Sequence, residues 1–234
     1  MSDQEEIIKK RVSISADLST MVYEDEKTLV RYLKKNYSRN FKIIKNGNDF
    51  ALVLKYHNMM FVSIRGTDDS SDVLANINFI PKKTDMGWVH RGFFNAARDL
   101  QNPIFDAICE LGGQRLYTYI CGHSLGGAIA TIIAIKLKQM NFKIKGVFTF
   151  GAPRTGKGSF RKCFRKHIDL CRQFAFTRDP VPRVPRAYLW WKHPGSIVKL
   201  KHSDNSGWSF LWFGKVSEHS MEEYKEECFI KITK

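Results

Sequence analysis

No apolar run in these 234 residues approaches the roughly 20 residues that a membrane-spanning helix needs. The N-terminus, Met1-Ser-Asp-Gln-Glu-Glu-Ile-Ile-Lys-Lys10, lacks the apolar core of a secretory signal. Cysteine is sparse and odd in number: Cys109, Cys121, Cys163, Cys171 and Cys228, with no C-x-x-C spacing of a metal or redox site. These absences predict a cytoplasmic or peripheral-membrane protein in a reducing compartment, with Cys163 and Cys171 as the one pair that could join. Acidic residues are scarce where basic ones are dense. From Lys136 to Lys201 there are seventeen Lys and Arg against two acids, Asp169 and Asp179, so this stretch holds the whole net charge of +15. A localised basic face implies an anionic partner, lipid headgroups or nucleic acid. Nucleic acid is disfavoured, because no zinc spacing or nucleic-acid signature accompanies the charge. The 43% apolar and 13% aromatic content excludes a disordered chain. There is no internal repeat and no linker, so residues 1–234 are expected to form a single domain.

The sequence is organised around Tyr119-Ile-Cys-Gly-His-Ser-Leu-Gly-Gly-Ala128. Gly122-His123-Ser124-Leu125-Gly126 fits G-x-S-x-G, the nucleophile elbow of α/β-hydrolases. A serine hydroxyl becomes a useful nucleophile when it projects from a sharp strand-to-helix turn within reach of a base. The turn strains the backbone at the serine, and neighbouring chain must come close, hence glycine two positions before and after. The flanks agree. Arg115 to Cys121 reads as a short buried strand, and Ala128 to Met140, rich in Ala, Ile and Leu, as a helix. An acyl-transfer site also needs two N–H donors for the oxyanion. One should be the backbone N–H of Leu125; Thr67, in the loop after an earlier strand, is placed to supply the other.

Along the chain, residues 1–37 read as helical. Phe41 to Ile44, Phe50 to Tyr56 and Met60 to Ile64 read as strands joined by turns at Asn46-Gly47-Asn48 and His57-Asn58. Ser70 to Ile80 suggests a short amphipathic helix stopped by Pro81. Its residues Ser70, Ser71, Asp72, Val73, Leu74, Ala75, Asn76 and Ile77 are the lid candidate. Val89 leads into a helix ending near Leu111 before Gly112-Gly113. Lys143 to Phe150 and Cys171 to Thr177 read as strands. Gly195 to Lys201 and Trp208 to Phe213 read as a hairpin, and a last helix begins near Glu218. Strands alternating with helices predict an α/β fold: a central, mostly parallel sheet with helices on both faces and a short lid helix.

Downstream of the serine, Asp169, Asp179, Asp204 and Glu218 are acid candidates. Asp179 is preferred because it directly follows a predicted strand. His193, His202 and His219 compete as the base, and position alone leaves them open. The ordered blocks Phe61-Val-Ser-Ile-Arg-Gly-Thr67, Val89-His-Arg-Gly-Phe93, Gly122-His-Ser-Leu-Gly-Gly127, Phe148-Thr-Phe-Gly-Ala-Pro-Arg154, Asp179-Pro-Val-Pro-Arg-Val-Pro185 and His219-Ser-Met-Glu-Glu-Tyr224 resemble the fungal-type triacylglycerol lipase family, the class 3 lipases. The resemblance implies Ser124 as nucleophile, Asp179 as acid, His219 as base, Thr67 and Leu125 as the oxyanion hole, and a lid after the Arg-Gly-Thr segment. The chain departs from secreted members in lacking a clear signal peptide. Its acidic lid segment also lacks an aromatic-rich face, which points away from bulk triglyceride.

The expected activity is therefore serine-dependent hydrolysis of carboxylic esters of lipids, glyceride or phospholipid acyl chains, with no metal or organic cofactor. Basic and aromatic residues in 178–192, including Arg178, Arg183, Arg186, Lys192 and Tyr188-Leu-Trp-Trp191, predict docking on an anionic membrane surface. The competing reading is a catalytically inactive or small-ester-specific hydrolase-fold module whose basic face holds an anionic partner.

Overall fold

A computed structural model of the chain describes residues 3–66, 79–201 and 219–233. Two helices come first, α1 (Asp3–Met21) and α2 (Glu26–Asn36). The turn between them ends at Asp25, whose carboxylate caps α2 by accepting the Thr28 N–H at 3.1 Å. Strands β1 (Phe41–Asn46), β2 (Asp49–Tyr56) and β3 (Met59–Ile64) follow. They pair antiparallel through two tight turns, with Asn46 opposite Asp49 and Tyr56 opposite Met59. Further along come β4 (Pro81–Thr84), β5 (Gly87–His90), α3 (Arg91–Glu110), β6 (Tyr117–His123), α4 (Ser124–Gln139) and β7 (Lys143–Phe150). The order closes with β8 (Gly156–Lys157), α5 (Gly158–His167), β9 (Cys171–Phe176), β10 (Trp191–Lys192), β11 (Ser196–Leu200) and α6 (Met221–Thr233).

Seven strands form the main sheet in the order β1-β2-β3-β6-β7-β9-β11, and from β3 onward every pairing is parallel. A parallel sheet needs cover on both faces, and the two-residue alternation of its strands supplies it. On β2, Ala51 and Val53 point to one core layer, while Phe50, Leu52 and Leu54 point to the other. The first layer is closed by α3, α4 and α5, through residues such as Ile104, Ile132 and Phe160. The second is closed by α1, α2 and α6, through Leu18, Leu29, Leu33 and Tyr224. Each such fully buried Leu or Phe contributes roughly 1.5–3 kcal/mol. Helix α4 lies at the centre, apolar around most of its circumference and buried along most of its length.

The structure adds to the sequence reading or corrects it. A second, antiparallel sheet of β10-β8-β5-β4 flanks the main one; its strands of two to four residues are too short for a periodic signal. Ser196–Leu200 is a strand, as expected, and runs parallel to β9; the second strand of the expected hairpin, Trp208 to Phe213, lies outside the described residues. All five cysteines are free, so Cys163 and Cys171 do not pair.

Candidate active site

Strand β6 carries Gly122-His123 to the C-terminal edge of the sheet, and α4 begins at once with Ser124. The reversal is made at Ser124, whose φ of +52° lies in the left-handed region. For a serine this conformation costs on the order of 1–3 kcal/mol and persists only where packing over-determines it. Packing here is backbone against backbone. A Cβ on Gly126 would collide with the Ile64 carbonyl oxygen and lie 2.8 Å from the Gly66 nitrogen. One on Gly122 would sit 2.6 Å from the Gly126 carbonyl carbon. The elbow therefore rests directly on the end of β3. Ser124 is buried, and its Oγ has no hydrogen-bond partner among the described residues.

Asp179 lies three residues beyond β9 at the same edge and is fully buried. Its Oδ1 accepts the Val181 N–H at 2.8 Å. Its Oδ2 accepts the Tyr224 O–H at 2.6 Å and the Nδ1–H of His219 at 2.8 Å. Three donors thus satisfy a carboxylate that burial alone would destabilise. Burial, and next the charge of Asp179, push the Tyr224 phenol well above its ordinary range, so it stays a donor. The same hydroxyl accepts the Phe176 N–H at 3.0 Å, tying α6 to the end of β9. With Nδ1 donating to Asp179, the Nε2 of His219 carries the lone pair. This Nε2 is buried and, among the described residues, unpartnered. The ring packs 4.5 Å from His123, next to Ser124 in sequence. Gly151, at φ +58°, makes room for it: a Cβ there would lie 2.8 Å from His219 Cε1.

His123 and Tyr23 brace the elbow from below. The Tyr23 hydroxyl accepts the Gly66 N–H at 3.0 Å and lies 3.2 Å from His123 Nδ1. Burial, then the proximity of His219, hold the His123 pKa well below its ordinary value. A neutral His123 adds no like charge beside His219.

Ser124, Asp179 and His219 are thus gathered at one sheet edge. Leu125 sits at the N-terminus of α4, where backbone N–H groups have no intrahelical partner. Thr67 and the lid candidates Ser70 to Ile77 lie outside the described residues, as do His202, Asp204 and Glu218. Asp169 is exposed just before β9, at the opposite end of that strand from Asp179. His193 stands apart, its Nε2 committed to the Pro182 carbonyl at 2.7 Å. The sequence reading gave no role to Tyr23 or Tyr224; the latter's place at the end of the His219–Tyr224 block was a signal that could have found it. Among the described residues no group of three or more His, Cys, Asp or Glu side chains is arranged to hold a metal ion, and no helix is long and apolar enough to cross a membrane.

Comparison with known proteins bears on this arrangement. The family described as lipase (class 3) matches residues 61–189. The chain is 30% identical over 137 residues to a secreted mono- and diacylglycerol lipase of Fusarium solani, covering 56% of this chain and 41% of that protein. The chain thus spans less than half the length of the curated relatives it matches. Among solved structures, the Rhizomucor miehei lipase propeptide complex superposes with a TM-score of 0.72 at 23% identity, over 86% of this chain and 69% of that one. A triacylglycerol lipase whose catalytic centre is described as a serine protease triad superposes with a TM-score of 0.69 at 22% identity, over 95% of this chain and 94% of that one. At these identities the likeness is one of fold, and that fold is the α/β-hydrolase fold. The relative's naming as a secreted lipase overturns the cytoplasmic expectation. That expectation leaned on cysteine usage, yet Cys121, Cys171 and Cys228 are buried apolar residues, whose number reflects packing and not compartment.

Proposed function

Because the chain belongs to the class 3 lipase family, we propose that it hydrolyses carboxylic esters of lipids, glyceride or phospholipid acyl chains, through an acyl-enzyme on Ser124. The observation that carries this reading is the buried serine at φ +52°, at the same sheet edge as a histidine whose Nδ1 is held by a buried aspartate at 2.8 Å. As the Ser124 Oγ–carbonyl bond forms, His219 Nε2 takes the hydroxyl proton. Asp179 holds the tautomer and stabilises the imidazolium. The oxyanion is received by the Leu125 and Thr67 N–H groups. Collapse breaks the ester bond, and the proton on His219 passes to the leaving alcohol. Water then repeats the sequence on the acyl-enzyme, releasing the fatty acid and restoring Ser124. Basic and aromatic residues in 178–192 dock the enzyme on an anionic membrane surface.

The test is fatty-acid release from mixed diacylglycerol and phospholipid liposomes, with Ser124→Ala as the blank. Release should fall by about three orders of magnitude or more in the variant. The monoglyceride or lysolipid left behind identifies the substrate. Undiminished release from Ser124→Ala would refute the mechanism, and no release by the parent chain from lipids or soluble esters would favour the binding-module reading.

A further inference from the structure

The basic stretch from Lys136 to Lys201 is not spread evenly over the surface. Part of it converges on a cleft of about 320 Å³, beside the small sheet, within the size range of small-ligand sites. Arg161 and Arg165, one turn apart on α5, form one wall. Arg154, Trp191, Lys192 and His193 line it too, with Ala187 and residues 195–197 completing the wall. No carboxylate lines it among the described residues.

Two of these cations are tethered to the surrounding loops. Arg154 donates through Nη1 to the carbonyls of Arg183 and Pro185, and Arg165 through Nε to that of Pro194 at 3.2 Å. Behind the lining, two polar atoms of these residues are shielded from solvent and have no partner among the described residues: the Nε of Arg161 and the Nδ1 of His193. His193, 8% exposed, gives its Nε2–H to the Pro182 carbonyl at 2.7 Å. Burial is the main cause that brings its pKa down to about 4, with Arg154 and Arg161 adding to it. The ring is therefore neutral at pH 7, and Nδ1 presents a lone pair. The site thus gathers three arginines and a lysine around one opening. A phosphomonoester fits it, since its terminal oxygens accept from several guanidinium and ammonium groups at once.

A second observation concerns the rim. Tyr188, Leu189 and Trp190 are consecutive and 70%, 49% and 74% exposed. They are held out by a short helical turn that ends with Trp190 at φ +67°. The next residue, Trp191, turns inward to line the cleft. An aromatic tip beside a cationic pocket fits the interface of an anionic membrane, where the rings sit at headgroup depth.

We propose that this cleft binds the phosphomonoester headgroup of an anionic lipid while Tyr188, Leu189 and Trp190 enter the same leaflet. This specifies the membrane docking in the functional reading above and is independent of the chemistry at Ser124. The experiment uses the whole chain as Ser124→Ala, so that lipid is not consumed. Its sedimentation with phosphatidylcholine vesicles containing phosphatidate is compared with that for phosphatidylserine at matched surface charge. Phosphatidate should bind about tenfold more tightly, and inorganic phosphate should remove that preference. Arg161→Gln with Arg165→Gln should abolish the preference with only a small effect on phosphatidylserine binding. Trp190→Ser should weaken binding to both vesicles and leave calorimetric binding of inorganic phosphate unchanged. If the double variant loses its circular dichroism, Arg161→Lys decides, since it keeps the charge and removes the planar guanidinium fork; it too should lose the phosphatidate preference. Equal binding of the two vesicle types, or a folded variant that keeps the preference, would overturn the site. Phosphate binding without vesicle binding would overturn the lipid source, and so would displacement from vesicles by duplex DNA at a lower charge concentration than phosphate. Loss of lipid preference with Ser124-dependent release intact leaves the hydrolase reading standing, and the converse leaves this site standing.

Discussion

At Ser124 the local chemistry and the wider packing meet in one residue. The G-x-S-x-G spacing was readable because each requirement is local: a reversal at the serine and two close backbone approaches. Gly126→Ala tests the second directly, since its Cβ would collide with the Ile64 carbonyl oxygen. The expected outcome is a loss of about 1–3 kcal/mol or more in urea denaturation, with activity lost as the turn shifts. Tyr224 is a different case. It touches Asp179 across 45 positions of sequence, a contact that no local pattern reports. Tyr224→Phe removes one donor from the Asp179 carboxylate and the acceptor of the Phe176 N–H. Its expected effect is about a tenfold fall in kcat with little change in KM, and about 1–3 kcal/mol less stability. A fall in stability alone, with kcat unchanged, would show that Tyr224 is structural only. Asp179→Asn, which favours the wrong histidine tautomer, should cost far more, about 10⁴ in kcat.

Secondary-structure elements decide whether His219 reaches the serine at all. Helix α6 begins two residues after it and is tied to α1 and α2 through Asp17. That buried carboxylate accepts from the Tyr32 hydroxyl at 2.9 Å, the Tyr37 hydroxyl at 2.6 Å and Lys225 at 2.5 Å. Burial is the largest cause that raises the Tyr32 pKa to about 12, and burial with the Asp17 charge raises Tyr37 further, so both stay donors. Asp17→Ala leaves three donors without an acceptor. The expected cost is about 2–4 kcal/mol in denaturant unfolding, with reduced activity because α6 loosens from the helices beneath it. The N-terminal helical stretch was legible as sheet cover, but its role in seating the last helix was not. Lys225 and Asp17 lie 208 positions apart.

For the molecule as a whole, pH should report on burial. His193 has a folded-state pKa near 4, below the ordinary value of 6.5. Between those values the unfolded chain binds the extra proton, so stability is lost as pH falls from 6.5 towards 4 and levels off below. From pH 7 to 5 this histidine alone should cost about 2 kcal/mol. Denaturation in phosphate-free buffer should show that slope in the parent chain and a shallower one in His193→Gln. The buried His123, shifted in the same direction, adds to the parent slope and is left in the variant. We also propose that residues 1–234 unfold as one domain, since α1 and α6 share one face of a sheet that runs through the chain. A single calorimetric transition is expected, and two resolved transitions would contradict it.

Alternating apolar residues, the elbow spacing and the acid at a strand exit were enough to specify a layered α/β sheet with Ser124 and Asp179 at one edge. They specify it because each depends on neighbours within a few positions, where the chain's own geometry dictates the outcome. The choice of base was different: position left His193, His202 and His219 open, and only family resemblance singled out His219. The short flanking sheet, the tyrosines on Asp179 and Asp17, and the opposite fates of adjacent Trp190 and Trp191, 74% and 3% exposed, were decided by tertiary structure. Each depends on which distant segment arrives alongside, and that is set by the packing of the whole chain, not by the residues next door.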